Sequence, residues 1–332
     1  MLARDIRTED VVAARLPWTS SVLSKWYGQE RLRAQIAASL ATELGRVGDE
    51  SFARSYREGV ALDIDSDLLT WSNRVLTLED AAEWVLAGIR FRGMDAGLPF
   101  IDVIACTHPP TRAGVLEVAA AVARAYAAFG PLCARFAVPD AVGFMKLLDA
   151  GFGPGSAVDM QIVAGLVRQL RVAPRVATYE RVELKTGDPA LLAARARDIY
   201  ADLAAEHPVT ALWATPTSAG SLEECASEGL LFDVAVDGRP AGVAAALRED
   251  AHGMTGFVVQ EIALDRAHRG QGLGPAVLQQ LVARLPDRGS DVVWGSIHPD
   301  NVASMRNAHR VGRRPVGAYV WVTPPGLPGM PA

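Results

Sequence analysis

The sequence predicts an α/β (α+β) protein made of two tandem domains of one type, each with a mixed, mostly antiparallel sheet flanked by helices. Two observations lead to this fold class. One is the order of strands and helices predicted in the second half, and the other is an internal similarity at an offset of 160 residues. A chain of 332 residues, half of them apolar, is long enough to form two hydrophobic cores.

The second half of the sequence alternates between strand and helix patterns. Strands are predicted over residues 176–184, 230–236, 240–247, 255–264, 291–297 and 316–322, and helices over 190–206, 221–228, 275–285 and 301–310. Ser221-Leu-Glu-Glu224 is a capping-box pattern that marks the start of the second helix, and Asp237-Gly238 predicts a hairpin turn. This order of elements fits several functions and does not by itself identify one.

The internal similarity is clearest over residues 108–145. Shifted by 160 positions, this segment aligns without gaps and has nine identities over 38 positions, where about three are expected by chance. Among the identical pairs, Gly114 corresponds to Gly274. The excess over chance indicates a duplicated unit.

The predicted elements support the same duplication. At the offset of 160 residues, the predicted helix 30–44 falls on residues 190–204. We therefore predict two copies of one domain, residues 1–173 and 174–332, joined near residues 171–175. The alternative is a pair of unrelated α/β domains that share a helix-rich pattern.

Composition narrows the classes of function. A formal net charge of −5 and a pI of about 5.7 argue against general nucleic-acid binding and permit a cationic small substrate. No apolar stretch reaches the roughly 20 residues needed to cross a bilayer, and charges interrupt the first ten residues too often for a secretory signal. We therefore expect a cytoplasmic protein without a nucleic-acid or membrane partner. Three widely spaced cysteines predict neither a disulfide framework nor a metal site.

A glycine-rich segment, Arg269-Gly-Gln-Gly-Leu-Gly274, lies between a predicted strand and a predicted helix. Its glycines allow a tight turn and a close approach of the backbone to a ligand. The helix that follows adds unpaired N–H groups and the positive end of a dipole, which together favour phosphate binding. The spacing matches neither the dinucleotide-binding fingerprint nor the P-loop. An ordinary glycine-rich turn is the alternative.

The stretch from Ile262 to Gly274 resembles the pyrophosphate-binding motif of the GNAT acyltransferase superfamily, and Asn301-Val-Ala-Ser304, followed by Gly312, resembles its next motif. The resemblance covers roughly 150 residues and implies an acetyl-CoA co-substrate in a cleft between the strands at 258–264 and 291–297. The residues that it implies for binding acetyl-CoA are Ile262, Ala263, Leu264, Arg269, Gly270, Gln271, Gly272, Leu273, Gly274, Pro275, Asn301 and Ser304.

The first copy departs from this motif. Pro109-Pro-Thr-Arg-Ala-Gly114 stands where the phosphate loop is expected, and its two prolines have no N–H to donate. We predict that the first domain is a degenerate copy that does not bind CoA as the second does.

Acylation of an amine requires a group that accepts the amine proton and a proton for the departing thiolate. Glu261, on the strand before the loop, and His298, at the end of the next strand, are the candidate bases. A solvated strand carboxylate and a structural histidine are the alternative interpretations.

Many members of the superfamily carry a tyrosine seven residues after the motif asparagine, and the resemblance places that position at Ala308. Ser304, His309 and Tyr319 are candidates for the missing acid. The absence of the tyrosine also leaves a non-catalytic role open.

The leading hypothesis is an acetyl-CoA-dependent N-acetyltransferase, a monomer or homodimer, that acts on a small-molecule amine by direct attack in a ternary complex. Its acceptor would be an amino sugar, an amino acid or an antibiotic. A CoA-binding pseudoenzyme or regulatory module is the second hypothesis. Aminoacyl transfer from a charged tRNA by tandem domains is the third, and the acidic net charge argues against it.

Overall fold

A computed structural model describes residues 6–80, 82–148, 153, 155–286 and 288–331. The described chain forms two compact units. The first contains the residues up to Gln161 together with those from Val316 onward, and the second contains Ile162–Pro315.

The first half of the chain supplies six helices and five strands among the described residues. The helices are α1 (Thr8–Arg15), α2 (Ser21–Tyr27), α3 (Gln29–Gly45), α4 (Glu50–Val60), α5 (Arg112–Ala125) and α6 (Ala141–Leu148), and the strands are β1 (Arg74–Thr77), β2 (Trp84–Phe91), β3 (Pro99–Cys106), β4 (Ala134–Val138) and β5 (Ala157–Leu166).

The second half supplies five helices and six strands, again among the described residues. The helices are α7 (Val167–Arg171), α8 (Pro189–Glu206), α9 (Ala219–Ser227), α10 (Gly274–Arg284) and α11 (Val302–Arg310), and the strands are β6 (Val182–Thr186), β7 (Leu231–Val236), β8 (Arg239–Arg248), β9 (Gly256–Leu264), β10 (Val292–Ile297) and β11 (Arg314–Val322).

The same pairing pattern occurs in both units. In the first, β1, β2 and β3 pair antiparallel and β3 pairs parallel with β4. In the second, β7, β8 and β9 pair antiparallel and β9 pairs parallel with β10. A helix connects the two parallel strands in each unit, as a crossover between parallel strands requires. The predicted fold class, two domains of one architecture with mixed sheets and flanking helices, is confirmed.

The last strand of the chain lies in the first unit. Residues 318–322 of β11 pair antiparallel with residues 134–138 of β4. In the second unit, β10 borders β5, of which residues 162–166 belong to that unit. The expected domains, 1–173 and 174–332, place β5 in the first domain and β11 in the second. Strand pairing between distant segments decides this assignment, and no local pattern reports it.

Most predicted elements of the second half appear within one or two residues of their expected bounds. The hairpin at Asp237-Gly238 forms with both residues at positive φ, 49° and 79°, which is the geometry that this pair favours. Two starts differ. The helix expected from Ser221 begins at Ala219, because the Ser218 side chain accepts the Ser221 N–H. The strand expected from residue 176 begins at Val182, after a helical turn at Tyr179–Arg181.

Each unit has its own hydrophobic core. In the first, α5 packs Val115, Val118 and Val122 against the sheet. In the second, α10 buries Val277, Leu278 and Leu281 against the sheet residues around Val293. The packing of α10 fixes the position of the glycine-rich segment, which immediately precedes it. Among the described helices, none combines the length and the apolar character needed to cross a bilayer.

Candidate functional site

The glycine-rich segment forms a turn between β9 and α10. Gly270 and Gly272 both have left-handed φ values, 75° and 68°, a conformation that costs other residues roughly 1–2 kcal/mol. Gly274 begins the helix, and a Cβ at this position would collide with the side chain of Asn307 on α11. Two of these glycines therefore shape the turn, and the third allows α10 and α11 to approach each other.

The turn presents a row of unpaired backbone donors. Within the described chain, the N–H groups of residues 270–274 donate to no protein acceptor. Pro275 occupies the first turn of α10, where its missing N–H costs no hydrogen bond. Five N–H groups at the start of an eleven-residue helix offer donors that suit an anion, because the helix dipole adds partial positive charge at the same end.

The Arg269 side chain contacts the protein rather than the open side of the turn. Its Nε donates to the Leu264 carbonyl (2.9 Å), one Nη donates to the Ile199 carbonyl (2.9 Å), and the other donates to Glu206 (3.1 Å). These contacts connect the end of β9 to α8. The resemblance implies that Arg269 binds acetyl-CoA, and its described contacts show that it also braces the loop.

Arg310 supplies a charge that the sequence reasoning missed. It is exposed at the end of α11, and its Nη1 lies 3.8 Å from the position that a Cβ on Gly272 would occupy. Only the packing of α10 against α11 brings the two residues together, so no motif indicated this contact. Arg310 is placed to interact with an anion bound at the turn.

The first residues of α11 have structural roles. The Asn301 side chain accepts the Ser304 N–H (3.0 Å) and caps the helix. Capping of this kind explains an asparagine at this position without reference to a ligand. A role for Asn301 and Ser304 in holding pantetheine stays a prediction.

Strands β9 and β10 separate beyond their first residues. Their register runs from Val292 opposite Gly256 to Trp294 opposite Val258, and no pair follows among the described residues. On its other edge, β9 stays paired with β8 as far as Leu264. The backbone edge of residues 262–264 that faces away from β8 is therefore without a strand partner, as the expected cleft between the two strands requires.

Glu261 is buried on β9 and is held by two donors. The Tyr200 hydroxyl donates to Oε1 (2.9 Å), the Thr217 N–H donates to Oε2 (3.1 Å), and the residue is 4% exposed. Burial raises the pKa of the Glu261 carboxyl, and the bonds from Thr217 and Tyr200 oppose that rise. A carboxylate with a raised pKa is a better proton acceptor than an exposed one. Tyr200, on α8, was missed because no sequence pattern relates it to Glu261.

His298 lies at the end of β10, where its ring stacks on Trp213 with the centroids 4.8 Å apart. Its Nδ1 accepts the Asp300 N–H at 3.3 Å. The segment 213–217 therefore contacts both candidate bases, His298 through Trp213 and Glu261 through Thr217. Of the two, Glu261 is the more firmly positioned.

The candidates for the acid lie in different surroundings. Tyr319 belongs to the first unit, where the Arg135 guanidinium lies 4.3 Å from the ring centroid, and burial raises the pKa of its hydroxyl. Ser304 is half-buried on α11 and His309 is exposed near the end of that helix. Ala308 is fully buried beside Ile297, Val163 and Met305. The position that the family gives to tyrosine is thus a core position in this protein.

The corresponding loop of the first unit is closed by its own hydrogen bonds. The Thr111 N–H donates to the Pro109 carbonyl (2.7 Å), and the Thr111 hydroxyl accepts the Gly114 N–H (3.3 Å). Beside it, Nε2 of His108 lies 2.8 Å from Glu83 and 3.2 Å from Glu117. Fewer donors and two neighbouring carboxylates make this loop unfavourable for an anion.

The chain is similar to a known protein family and to several solved structures. Residues 196–312 match the profile of the acetyltransferase (GNAT) family. A search of curated proteins finds no match. The solved structures to which the chain is similar include a GCN5-related N-acetyltransferase from Sphaerobacter thermophilus, with 16% identity and a TM-score of 0.48 over 83% of this chain and 93% of that one.

Two further structures show similar coverage. A GNAT-family acetyltransferase from Colwellia psychrerythraea is 13% identical, with a TM-score of 0.46 over 86% of this chain and 96% of that one. A tandem GNAT protein from the clavulanic acid biosynthesis pathway is 13% identical, with a TM-score of 0.41 over 83% and 95%.

Proposed function

We propose that this protein, whose residues 196–312 match the acetyltransferase (GNAT) family, transfers an acyl group from acetyl-CoA to the amine of a small molecule. The observation that carries the proposal is the row of unpaired N–H groups at residues 270–274, at the start of α10. Such a row suits a pyrophosphate because it offers several donors to one anion without steric hindrance from side chains.

The residues of the second unit fit acetyl-CoA as a co-substrate. The turn at 270–274 would hold the pyrophosphate, and Arg310 would add charge beside it. The free backbone edge of Ile262, Ala263 and Leu264 would pair with the pantetheine amides, because β9 has parted from β10 there. Acetyl-CoA supplies the activated thioester, and the protein supplies its placement.

Glu261 is the residue that we assign to proton transfer. In the balanced reaction the amine nitrogen forms a bond to the acyl carbon, the bond from that carbon to sulfur breaks, and the amine proton is transferred to the thiolate to give CoA thiol. Glu261 would accept that proton, and the Tyr200 hydroxyl and Thr217 N–H hold its two oxygens. A group that carries the proton in this way contributes typically 10²–10⁴-fold to rate.

A CoA-binding module without turnover is the second candidate function. The burial of Ala308 favours it, because the family's usual acid is absent and its place is filled by core packing. The two candidates share the phosphate turn and differ only in whether Glu261 has chemistry to perform.

The first experiment is calorimetric titration of the protein with acetyl-CoA, followed by a thiol-release assay over a panel of small amines. We expect one equivalent to bind and at least one amine to release CoA thiol. Binding without thiol release from any amine would support the non-catalytic module. No binding would overturn both candidates.

Replacing Glu261 tests its role directly. Glu261→Gln should lower kcat by about 10²-fold or more and leave the Kd for acetyl-CoA unchanged, since Tyr200 and Thr217 hold the carboxyl in place. Glu183→Gln, at an exposed strand carboxylate of the same unit, is the matched control and should change neither value. Unchanged turnover in Glu261→Gln would remove Glu261 from the mechanism.

The pH profile gives a second, independent test. Because the Tyr200 hydroxyl stabilises the ionised carboxylate, Tyr200→Phe should raise the pKa of Glu261 further. The base must be ionised to accept a proton, so the acidic limb of kcat/KM should move to higher pH in this variant. A limb that stays in place would assign the titration to another group.

A further inference from the structure

Arg313 is a buried guanidinium that no carboxylate neutralises within the described chain. It follows α11, is 5% exposed, and donates from one Nη to the Val163 carbonyl at 3.0 Å. Its Nε is buried without a hydrogen-bond partner among the described residues. Burial lowers the pKa of Arg313 to about 9, with no charged group opposing the shift.

Two other shielded arginines differ from Arg313 in having a carboxylate partner. Arg135 and Arg248 are also largely shielded, and each has a carboxylate partner at 2.9 Å, Asp102 for the first and Asp291 for the second. A buried charge without a partner is costly, because its hydration is lost and nothing replaces it. Of these three arginines, only Arg313 lacks a carboxylate among the described residues to offset its lost hydration, which points to an anionic ligand as its partner.

The surroundings of Arg313 identify where that partner would enter. A Cβ on Gly295 would lie 2.9 Å from the Arg313 Nη2 and 3.9 Å from the Val259 Cβ. Gly295 follows Trp294 and Val259 follows Val258, the last pair before β10 and β9 separate. The guanidinium therefore lies beside the point where the two strands part, and the missing side chain at Gly295 leaves room for it there.

The proposed function places the acyl donor where these two strands part, and the further inference rests on that function. We propose that Arg313 binds the carboxylate of a reactant, carried either by the acyl group of the CoA thioester or by the acceptor amine. A carboxylate fits better than a phosphate group, because one negative charge matches one guanidinium and its two oxygens match the planar fork of donors. The phosphates of CoA already have their own donors at the turn.

The test compares matched reactants that differ only in a carboxylate. In the donor arm, succinyl-CoA and malonyl-CoA are compared with acetyl-CoA on one amine. In the acceptor arm, α-amino acids are compared with their carboxamides, with one donor. We expect a preference in kcat/KM of about 100-fold for the carboxylate in one arm, and the arm that shows it identifies which reactant carries the group.

Variants then connect the preference to Arg313. Arg313→Met should lose the preference and still turn over the neutral reactant, and Arg313→Lys should keep part of it. Arg314→Met, at the exposed neighbouring arginine, is the matched control and should keep the full preference. Wild type without a preference in either arm, or a preference that persists in Arg313→Met, would overturn the proposal.

Stability separates a binding role from a structural one. Without ligand, Arg313→Met should unfold at a temperature equal to or above that of wild type, because an unpaired buried charge is replaced by an apolar chain of similar length. A clear decrease would show that Arg313 supports the fold and would overturn the binding role. Failure of every amine to release thiol would instead count against the proposed function. Calorimetry would then compare the affinities for succinyl-CoA and acetyl-CoA. Equal affinities would overturn the donor form of the proposal, and a loss of affinity for succinyl-CoA alone in Arg313→Met would support it.

Discussion

The loop at 269–274 and the loop at 108–114 occupy the same place in two units of one architecture. Each follows the last strand of an antiparallel run and precedes a helix that crosses to a parallel strand. The second loop leaves its N–H groups unpaired, whereas in the first loop the N–H groups of Thr111 and Gly114 are paired and two prolines offer none. The shared scaffold therefore does not set how many backbone donors such a loop leaves unpaired.

The charges around the two loops differ in the same direction. Arg310 approaches the second loop, while Glu83 and Glu117 gather around His108 beside the first. The glycine that the two loops share, Gly114 or Gly274, avoids a different steric clash in each. A Cβ on Gly114 would lie 2.9 Å from the Pro109 carbonyl, whereas one on Gly274 would collide with Asn307. The matching glycines therefore reflect packing in both units, and the difference in unpaired donors arises from the residues between them.

The largest effect should come from placing a negative charge in the second loop. Gly272→Glu puts a carboxylate where the pyrophosphate would bind and neutralises the charge of Arg310. The affinity for acetyl-CoA should therefore fall at least about 100-fold. Gly229→Glu, at another left-handed glycine with open space around it, shares the backbone strain and should leave the affinity unchanged. Calorimetry compares the two. Equal losses would show that strain or net charge is responsible, and not the loop.

A smaller effect should follow from removing the brace of the second loop. Arg269→Met breaks hydrogen bonds to Leu264, Ile199 and Glu206 and should destabilise the protein without ligand by about 2 kcal/mol. Acetyl-CoA affinity should fall about tenfold, because the loop loses its fixed shape. Arg266→Met, which removes an exposed partner of Glu206, is the control. Normal stability combined with a steep loss of affinity would mean that Arg269 contacts the phosphates instead.

The smallest effect on binding is expected in the first loop. Thr111→Ala removes the hydroxyl that accepts the Gly114 N–H and should cost about 1 kcal/mol of stability as a lost helix cap. The Kd for acetyl-CoA and the stoichiometry of one should stay the same. A change in either would mean that the first loop takes part in binding, and the contrast between the two loops would not hold.

Local patterns predicted the parts of the site that depend on neighbouring residues. The hairpin at Asp237-Gly238, the bounds of α8 and the turn before α10 follow from residues a few positions apart, because turn and cap geometry is set over that range. Glu261 was also proposed from sequence, since it lies on the strand next to the loop. The hydrogen bond to its Oε1 comes from Tyr200, which a separate helix supplies.

The sequence by itself determined the fold class, the duplication and the glycine turn, because each depends on how residues are spaced along the chain. The tertiary structure decided the pairing of β11 with β4, the inward direction of Arg269, the approach of Arg310 to Gly272 and the isolation of Arg313. These features depend on how distant segments pack and on where two strands separate. That packing decides which groups surround a charged side chain. A pattern of neighbouring residues does not.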